Sequence, residues 1–370
     1  MKNAKKWQLL LIIPILLVLG GCSLSVKTKD GSASDGGVFV SANKGDTWRQ
    51  MPFIPTISGM ENLTNTNILQ MHMDPSDSGA VYLASEKNGL FYTYNVARGW
   101  SKTYSLPERA VNGIAVDKNN KCIYYVAMDN KLYKTIDCGR FFTENYYDNN
   151  IGVLVTAVAV DHYNSQNVYL GTSRGDVLRS LDGGVSWHTI QRLNDSIRKI
   201  LINPQDSRSV FVATAKNGIF RFNASGGASL EELEQYRNTF DNTNWTDYNA
   251  SLKEFNLGFN FKDLVFSAAD NSLLLATDKV ILRSYDEGLT WVRLPLLTPE
   301  HDAMITSLAV NPKDAKEIFY VTNTSFYRSV DNGENWAVKK LPSTRSASSI
   351  LVDFQNPDIL YVSFIKLKEE

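Results

Sequence analysis

Apolar residues in this chain fall in short runs broken by polar turns, and the runs recur in a fixed order. Val155-Thr156-Ala157-Val158-Ala159-Val160 leads to Val168-Tyr169-Leu170-Gly171-Thr172, then to Val177-Leu178-Arg179-Ser180. The same order runs through 305–310, 318–322 and 326–329. Runs this short, rich in β-branched and aromatic residues and bounded by turn signals, predict strands. Each unit holds four, the first apolar enough for burial on both faces. First strands are expected to begin near Ile68, Val111, Val155, Ile197, Leu264, Ile305 and Ile350, which makes seven units. The seventh lacks its outer half, and the run at 37–48 supplies it from the other end of the chain. These patterns predict an all-β fold: a single seven-bladed β-propeller over 37–370, its ring closed by N-terminal strands that complete the last blade. Closure removes the open sheet edges that template aggregation. The fourth unit departs from the order. Residues 223–244 carry a capping pattern from Ser229 to Glu232, then Leu233, Tyr236 and Phe240 at helical spacing. They predict a helical insert, plugging a gap on the rim or docking a partner.

A short phrase, S-x-D-x-G-x-x-W, links the third and fourth strands. Ser180, Asp182, Gly184 and Trp187 form its cleanest copy. Ser284, Asp286, Gly288 and Trp291 repeat it, as do Ser329, Asp331, Gly333 and Trp336. Ser41, Asn43, Gly45 and Trp48 repeat it with Asn for Asp. Asp137 and Gly139 belong to a worn copy ending in Phe142, and 93–100 is another. The Ser and Asp side chains suit backbone N–H groups across a hairpin turn, and the Gly suits a positive φ. A residue repeated in every unit serves something every unit needs, so these positions read as structural rather than catalytic. The phrase resembles the Asp-box, or BNR, repeat, and a period of about 45 residues fits a propeller.

The segment before Cys22 reads as an export signal. Lys2, Lys5 and Lys6 precede an apolar stretch of about 11 residues, too short to span a bilayer. Leu19-Gly20-Gly21-Cys22 resembles a bacterial lipobox. The resemblance implies a lipoprotein signal peptide over 1–21, acyl chains on Cys22, and a membrane anchor in a bacterial cell envelope, with the propeller facing the periplasm or cell exterior. Residues 22–36, rich in Ser, Lys, Asp and Gly, read as a flexible tether. The exported location permits a disulfide between Cys122 and Cys138, with two free thiols as the alternative. Lys and Arg number 38 against 39 Asp and Glu, and the charges are interspersed, so no basic stripe points to nucleic acid.

Chemistry is sparse. The four histidines are scattered, which gives no metal spacing, and no phosphate loop or cofactor motif stands out. Sialidases carry Asp-boxes, but their R-I-P phrase is matched here by Phe53-Ile54-Pro55. Seven-bladed endoglucanases set an acid and a base on two propellers, and this chain has one. Asp74, Asp117 and Asp161 recur at one place as Asn203, Asn311 and Asp353, which again argues for turns. Asn203-Pro204-Gln205-Asp206-Ser207, followed by Val210-Phe211-Val212-Ala213-Thr214, resembles the photosystem II assembly factor and sortilin-type propellers. That resemblance implies a non-catalytic binding scaffold for a protein partner or an assembly role. A glycan-binding module or divergent glycoside hydrolase is the alternative. Any site is expected on the face opposite the phrase turns, within 53–65, 146–153, 191–195, 249–260 and 295–303. Phe53, Tyr147, Arg192, Phe255 and Phe259 are its candidates. Arg192, Arg198, Arg208 and Arg221 crowd the region of the fourth unit.

Overall fold

The computed structural model describes residues 35–224, 244–255, 257–298, 302 and 304–367. Cys22, the segment 1–34 and the insert at 225–243 lie outside the described residues. The rest is a seven-bladed propeller of four-stranded antiparallel sheets. Blade 3 is representative, running outward through Val155–Val160, Val168–Thr172, Asp176–Ser180 and His188–Arg192. The innermost strands of blades 1, 2, 4, 5 and 6 are Ile68–Met73, Val111–Val116, Ile197–Ile202, Phe261–Phe266 and Ile305–Asn311. Blade 7 is composite. Ser346–Val352 and Leu360–Ile365 come from the C-terminal side, Gly37–Ser41 and Arg49–Gln50 from the N-terminal side. Gly37 to Ser41 pair with Phe364 to Leu360 in unbroken register.

Two innermost strands begin earlier than their apolar runs suggest. Blade 5 starts at Phe261, not Leu264, and blade 7 at Ser346, not Ile350. In both cases a polar stretch, Lys262-Asp263 or Ser348-Ser349, stands inside the strand and hides its true start. The outer strand of blade 4 is Trp245–Asp247. A two-strand hairpin, Phe53–Thr56 with Gly59–Asn62, interrupts the passage from blade 7 to blade 1.

The second strands show why the chain folds this way. All five residues of Val81–Ser85, Tyr124–Met128, Val168–Thr172 and Leu273–Thr277 are buried, because each strand lies between two neighbouring sheets. The core is accordingly divided into seven apolar clusters, one at each blade–blade interface. Each fully buried Val, Leu or Phe contributes roughly 1.5–3 kcal/mol.

Where it is present, the recurring phrase closes the outer hairpin with one bonding scheme. Ser180 Oγ donates to Asp182 Oδ1 (2.7 Å) and accepts from Gly184 N (2.8 Å). Asp182 Oδ1 accepts from Ser186 N (2.9 Å), and Oδ2 from Ser186 Oγ (2.5 Å). The turns at Ser284–Asp286 and Ser329–Asp331 repeat the scheme, and Ser41–Asn43 repeats it with an amide oxygen. The glycine is required for its backbone: φ is +85° at Gly45, +91° at Gly184 and Gly288, and +86° at Gly333. In three copies the Trp does more than cover its own turn. Trp336 Nε1 donates to Pro295 O (2.7 Å), and Trp100 Nε1 to Met51 O (2.7 Å). In each case the acceptor belongs to the chain leaving the preceding blade, so the indole staples neighbours together. In blade 2, where Phe142 replaces Trp, Cys122 and Cys138 come together as a disulfide, their Cα atoms 3.8 Å apart.

Candidate functional site

One backbone feature recurs in all seven innermost strands. The pairing with the second strand slips by one residue near its start, leaving a bulge. The extra residues are Leu69, Asn112, Thr156, Arg198, Lys262, Thr306 and Ser348. A bulged residue drops out of the ladder and is re-aimed by the local twist. Here all seven meet, and together they line a cavity of about 640 Å³. The innermost strands contact one another in a closed cycle, so this cavity is the mouth of the central channel. It lies where innermost strands begin. Antiparallel order puts the phrase turns, which join third and fourth strands, at the opposite end.

Four of the seven ring residues are tied into the wall. Asn112 Nδ2 donates to Val155 O (3.0 Å) in the next blade, and Ser348 Oγ to Ile68 O (2.5 Å) across the closing seam. Thr156 and Thr306 donate to Gly171 O and Val321 O, each at 3.2 Å. Arg198 is exposed and Lys262 half-buried. Among the described residues, neither has a hydrogen-bond or ion-pair partner. Asp278 lines the same cavity. Its Oδ2 accepts from Asn260 Nδ2 (3.2 Å), while its Oδ1 is buried without a partner. Leu154, Met304 and Leu367 add exposed apolar surface to the rim.

The adjacent charges within the strands are paired. Lys199 Nζ sits 2.7 Å from Asp263 Oδ1, and Asp263 Oδ2 accepts from Ser307 Oγ (3.0 Å) and Leu308 N (3.2 Å). This chain of bonds ties blades 4, 5 and 6 around the axis. His72 lies two residues beyond Gln70, which lines the cavity. Burial, helped by the Lys199 charge and opposed by Asp263, pushes its imidazole down to about 4, so it is neutral near pH 7.

None of Phe53, Tyr147, Arg192, Phe255 and Phe259 lines this cavity. Phe53 O accepts from Trp100 N (2.8 Å), beside a phrase turn, because the 53–62 hairpin leans toward that end. Tyr147 is exposed on the outermost strand of blade 2. Arg192 is bonded to buried Asp176, which also takes Arg174 at 2.6 Å. Phe255 and Phe259 pack on the cluster between blades 4 and 5. Of the four crowded arginines, Arg208 pairs with Asp206 (2.8 Å) and Arg221 with Glu287 (3.0 Å), and Arg198 alone stays unpaired. The recurring carboxylates serve turns. Asp74, Asp117, Asp161 and Asp353 each accept from the backbone N–H two residues on, all at 2.8 Å. Asn203 and Asn311 do so at 2.9 Å. Sequence reasoning missed Lys262 and the ring as a whole. The available signal was Arg198-Lys199 and Lys262-Asp263, charge doublets at one position of otherwise apolar strands.

No protein-family model matches this chain, and no curated protein does. Solved structures share its fold. The GH74 enzyme of Niastella koreensis aligns with a TM-score of 0.62 at 17% identity, over 81% of this chain and 51% of that one. The GH74 xyloglucanase of Xanthomonas campestris gives 0.63 at 14% identity, again over 81% and 51%. The chain thus spans about half the length of these enzymes. YCF48 bound to a D1 peptide gives 0.59 at 15% identity, over 85% of this chain and 96% of that one. At these identities the likeness is one of fold alone, and the chain's own site must be read from its own residues.

Proposed function

We propose that this chain is a lipid-anchored, non-catalytic scaffold of the bacterial envelope, which holds a protein partner at the mouth of its central channel. The observation that carries the reading is the composition of that mouth. Among the described residues lining it, Asp278 is the one carboxylate, and none is aromatic. Glycoside hydrolysis uses two carboxylates facing each other, and sugar-binding clefts stack rings on aromatic side chains. A cavity of about 640 Å³ with apolar rim residues and a few converging polar groups fits a segment of polypeptide instead. The similar propeller YCF48 is described as bound to a D1 peptide, which favours a protein partner over a glycan. In this reading the phrase turns are Asp-boxes, and Cys22 is the acylated residue.

Two experiments test it. Metabolic labelling with a fatty-acid analogue should mark the wild type and not Cys22→Ala; equal label ends the anchor. Cross-linking in intact envelopes, followed by mass spectrometry, should recover a protein that is lost with Leu154→Arg at the mouth. It should be kept with Val330→Arg at the opposite end. A partner indifferent to Leu154→Arg, or glycan-array binding with no protein captured, refutes the site.

A further inference from the structure

The mouth has a charge pattern that its architecture does not need. Five of the seven ring residues are apolar or spend their polar atoms on the wall of the channel, as described above. Arg198 and Lys262 do neither. They stand on adjacent blades, 4 and 5, at the same structural position. In a ring of seven, the blade facing the gap between 4 and 5 is blade 1, whose ring residue is Leu69. The mouth therefore sets its two cations, with Asp278 on blade 5 beside them, across from Leu69.

Two further facts narrow the chemistry. The cavity holds two cations against one acid, Asp278, so its surplus is a single positive charge. That suits one carboxylate and is poorly matched to a polyanion such as nucleic acid, which calls for many cations. Leu69, Leu154, Met304 and Leu367 offer apolar surface but no ring for base or sugar stacking. Two cations facing Leu69 across the opening, with Leu154 and Met304 on the blades beside them, match a peptide bearing an acidic group beside an apolar side chain.

Resting on the protein-partner reading above, we infer that the mouth selects a partner segment with one carboxylate, from a side chain or a chain end, seated between Arg198 and Lys262, and a neighbouring apolar side chain directed toward Leu69. Guanidinium and ammonium groups with no partner in the free protein lose no existing bond when a carboxylate arrives. Both therefore act as recognition charges rather than structural ones.

The test uses detergent-solubilised full-length protein and a displayed library of random dodecapeptides, screened in parallel with a glycan array. Selected peptides should carry Asp, Glu or a free carboxyl terminus next to an apolar residue. Their affinity should fall at least tenfold in the Arg198→Gln/Lys262→Gln double variant and weaken with added salt. It should be unchanged in Lys340→Gln, an exposed lysine on an outer strand of blade 6. The double variant should melt at the wild-type temperature, since neither side chain is bonded to the protein. Acid-free binders, or acidic binders that hold the double variant equally well, overturn the inference while leaving a peptide-binding mouth in place. Binding only to acidic glycans, lost in the same double variant, overturns the peptide assignment. No selected peptide at all overturns both this inference and the reading beneath it.

Discussion

Deleting residues 37–50 removes the outer half of blade 7 and should break the ring. The strand Gly37–Ser41 pairs at five positions with the strand that follows Asp358. Val38 is 0% and Phe39 6% exposed, so their burial alone supplies about 3–6 kcal/mol. Phe39 also packs edge-on against Phe364, with ring centroids 5.3 Å apart, and Trp48 against Phe326 at 5.5 Å. Lys44 Nζ lies 2.9 Å from Glu317, whose side chain is only 3% exposed. Without Lys44, that buried carboxylate keeps Arg328 but loses a second cation. Against a total stability of about 5–15 kcal/mol for a domain, losses of this size leave little folded protein. The strand Leu360–Ile365 would also become an open apolar edge. Calorimetry and light scattering should show aggregation or a lost cooperative transition. A graded companion, Phe39→Ala, should cost about 3–5 kcal/mol. For a chain of this length that lowers the melting temperature by about 4–7 °C. A truncated protein that stays monomeric and melts cooperatively at the wild-type temperature would refute closure through the N-terminal strands.

Stability should fall on acidification below the ordinary aspartate value of 3.8. Burial alone would raise Asp182, but the Ser186 hydroxyl and N–H, with Ser180 and Val185, hold it below that value, and Asn335 N–H leads the same effect at Asp331. A carboxyl with a depressed folded pKa stabilises above its unfolded pKa and loses that contribution as pH drops through the folded one, so thermal melts from pH 5 to pH 2 should slope downward. A flat profile would show that these bonds do not survive in solution. Trp336→Phe should cost about 0.5–1.5 kcal/mol for the bond to Pro295. Trp336→Ala should cost about 3–5 kcal/mol, since only 8% of the residue is exposed. A Trp336→Phe variant as stable as wild type in urea titrations would deny the inter-blade staple. Alkylation of the unfolded, unreduced protein should find Cys122 and Cys138 blocked. Cys138→Ser should cost about 3 kcal/mol for a loop of 16 residues, an effect that vanishes in reductant.

Fold and site differed in how far they could be read from residues. The strands of blade 3 were legible because Val, Ile, Tyr and Thr runs end in Asn, Gly or Asp. The outer turns were legible because Ser, Asp and Gly each answer a fixed backbone need. Composite closure followed from a lone phrase at Ser41 with no innermost strand before it. The mouth was not legible for a physical reason. A bulge changes register without changing composition, so Val155-Thr156-Ala157 reads as plain alternation, yet Thr156 leaves the ladder. Exposed aromatics misled in turn. Phe255 and Phe259 lie between strands, but their segment folds back and packs them, half-buried, on the cluster between blades 4 and 5. Arg192 looked available until buried Asp176 claimed it.

The repeated bulge gives the molecule an interchangeable front end. Each ring position is one residue per blade, outside the ladder and outside the seven apolar clusters. Rewriting Leu69, Arg198 or Lys262 touches no strand pair and no inter-blade core. Rewriting Met71, Ile200 or Leu264, two residues further along the same strands, enters that core directly. On the proposed reading, ligand choice and inter-blade packing are encoded on different residues of one strand. Three letters of the ring's seven-letter word, Leu69, Arg198 and Lys262, can thus be edited without disturbing the body that displays them, while Asn112, Thr156, Thr306 and Ser348 also hold the channel wall.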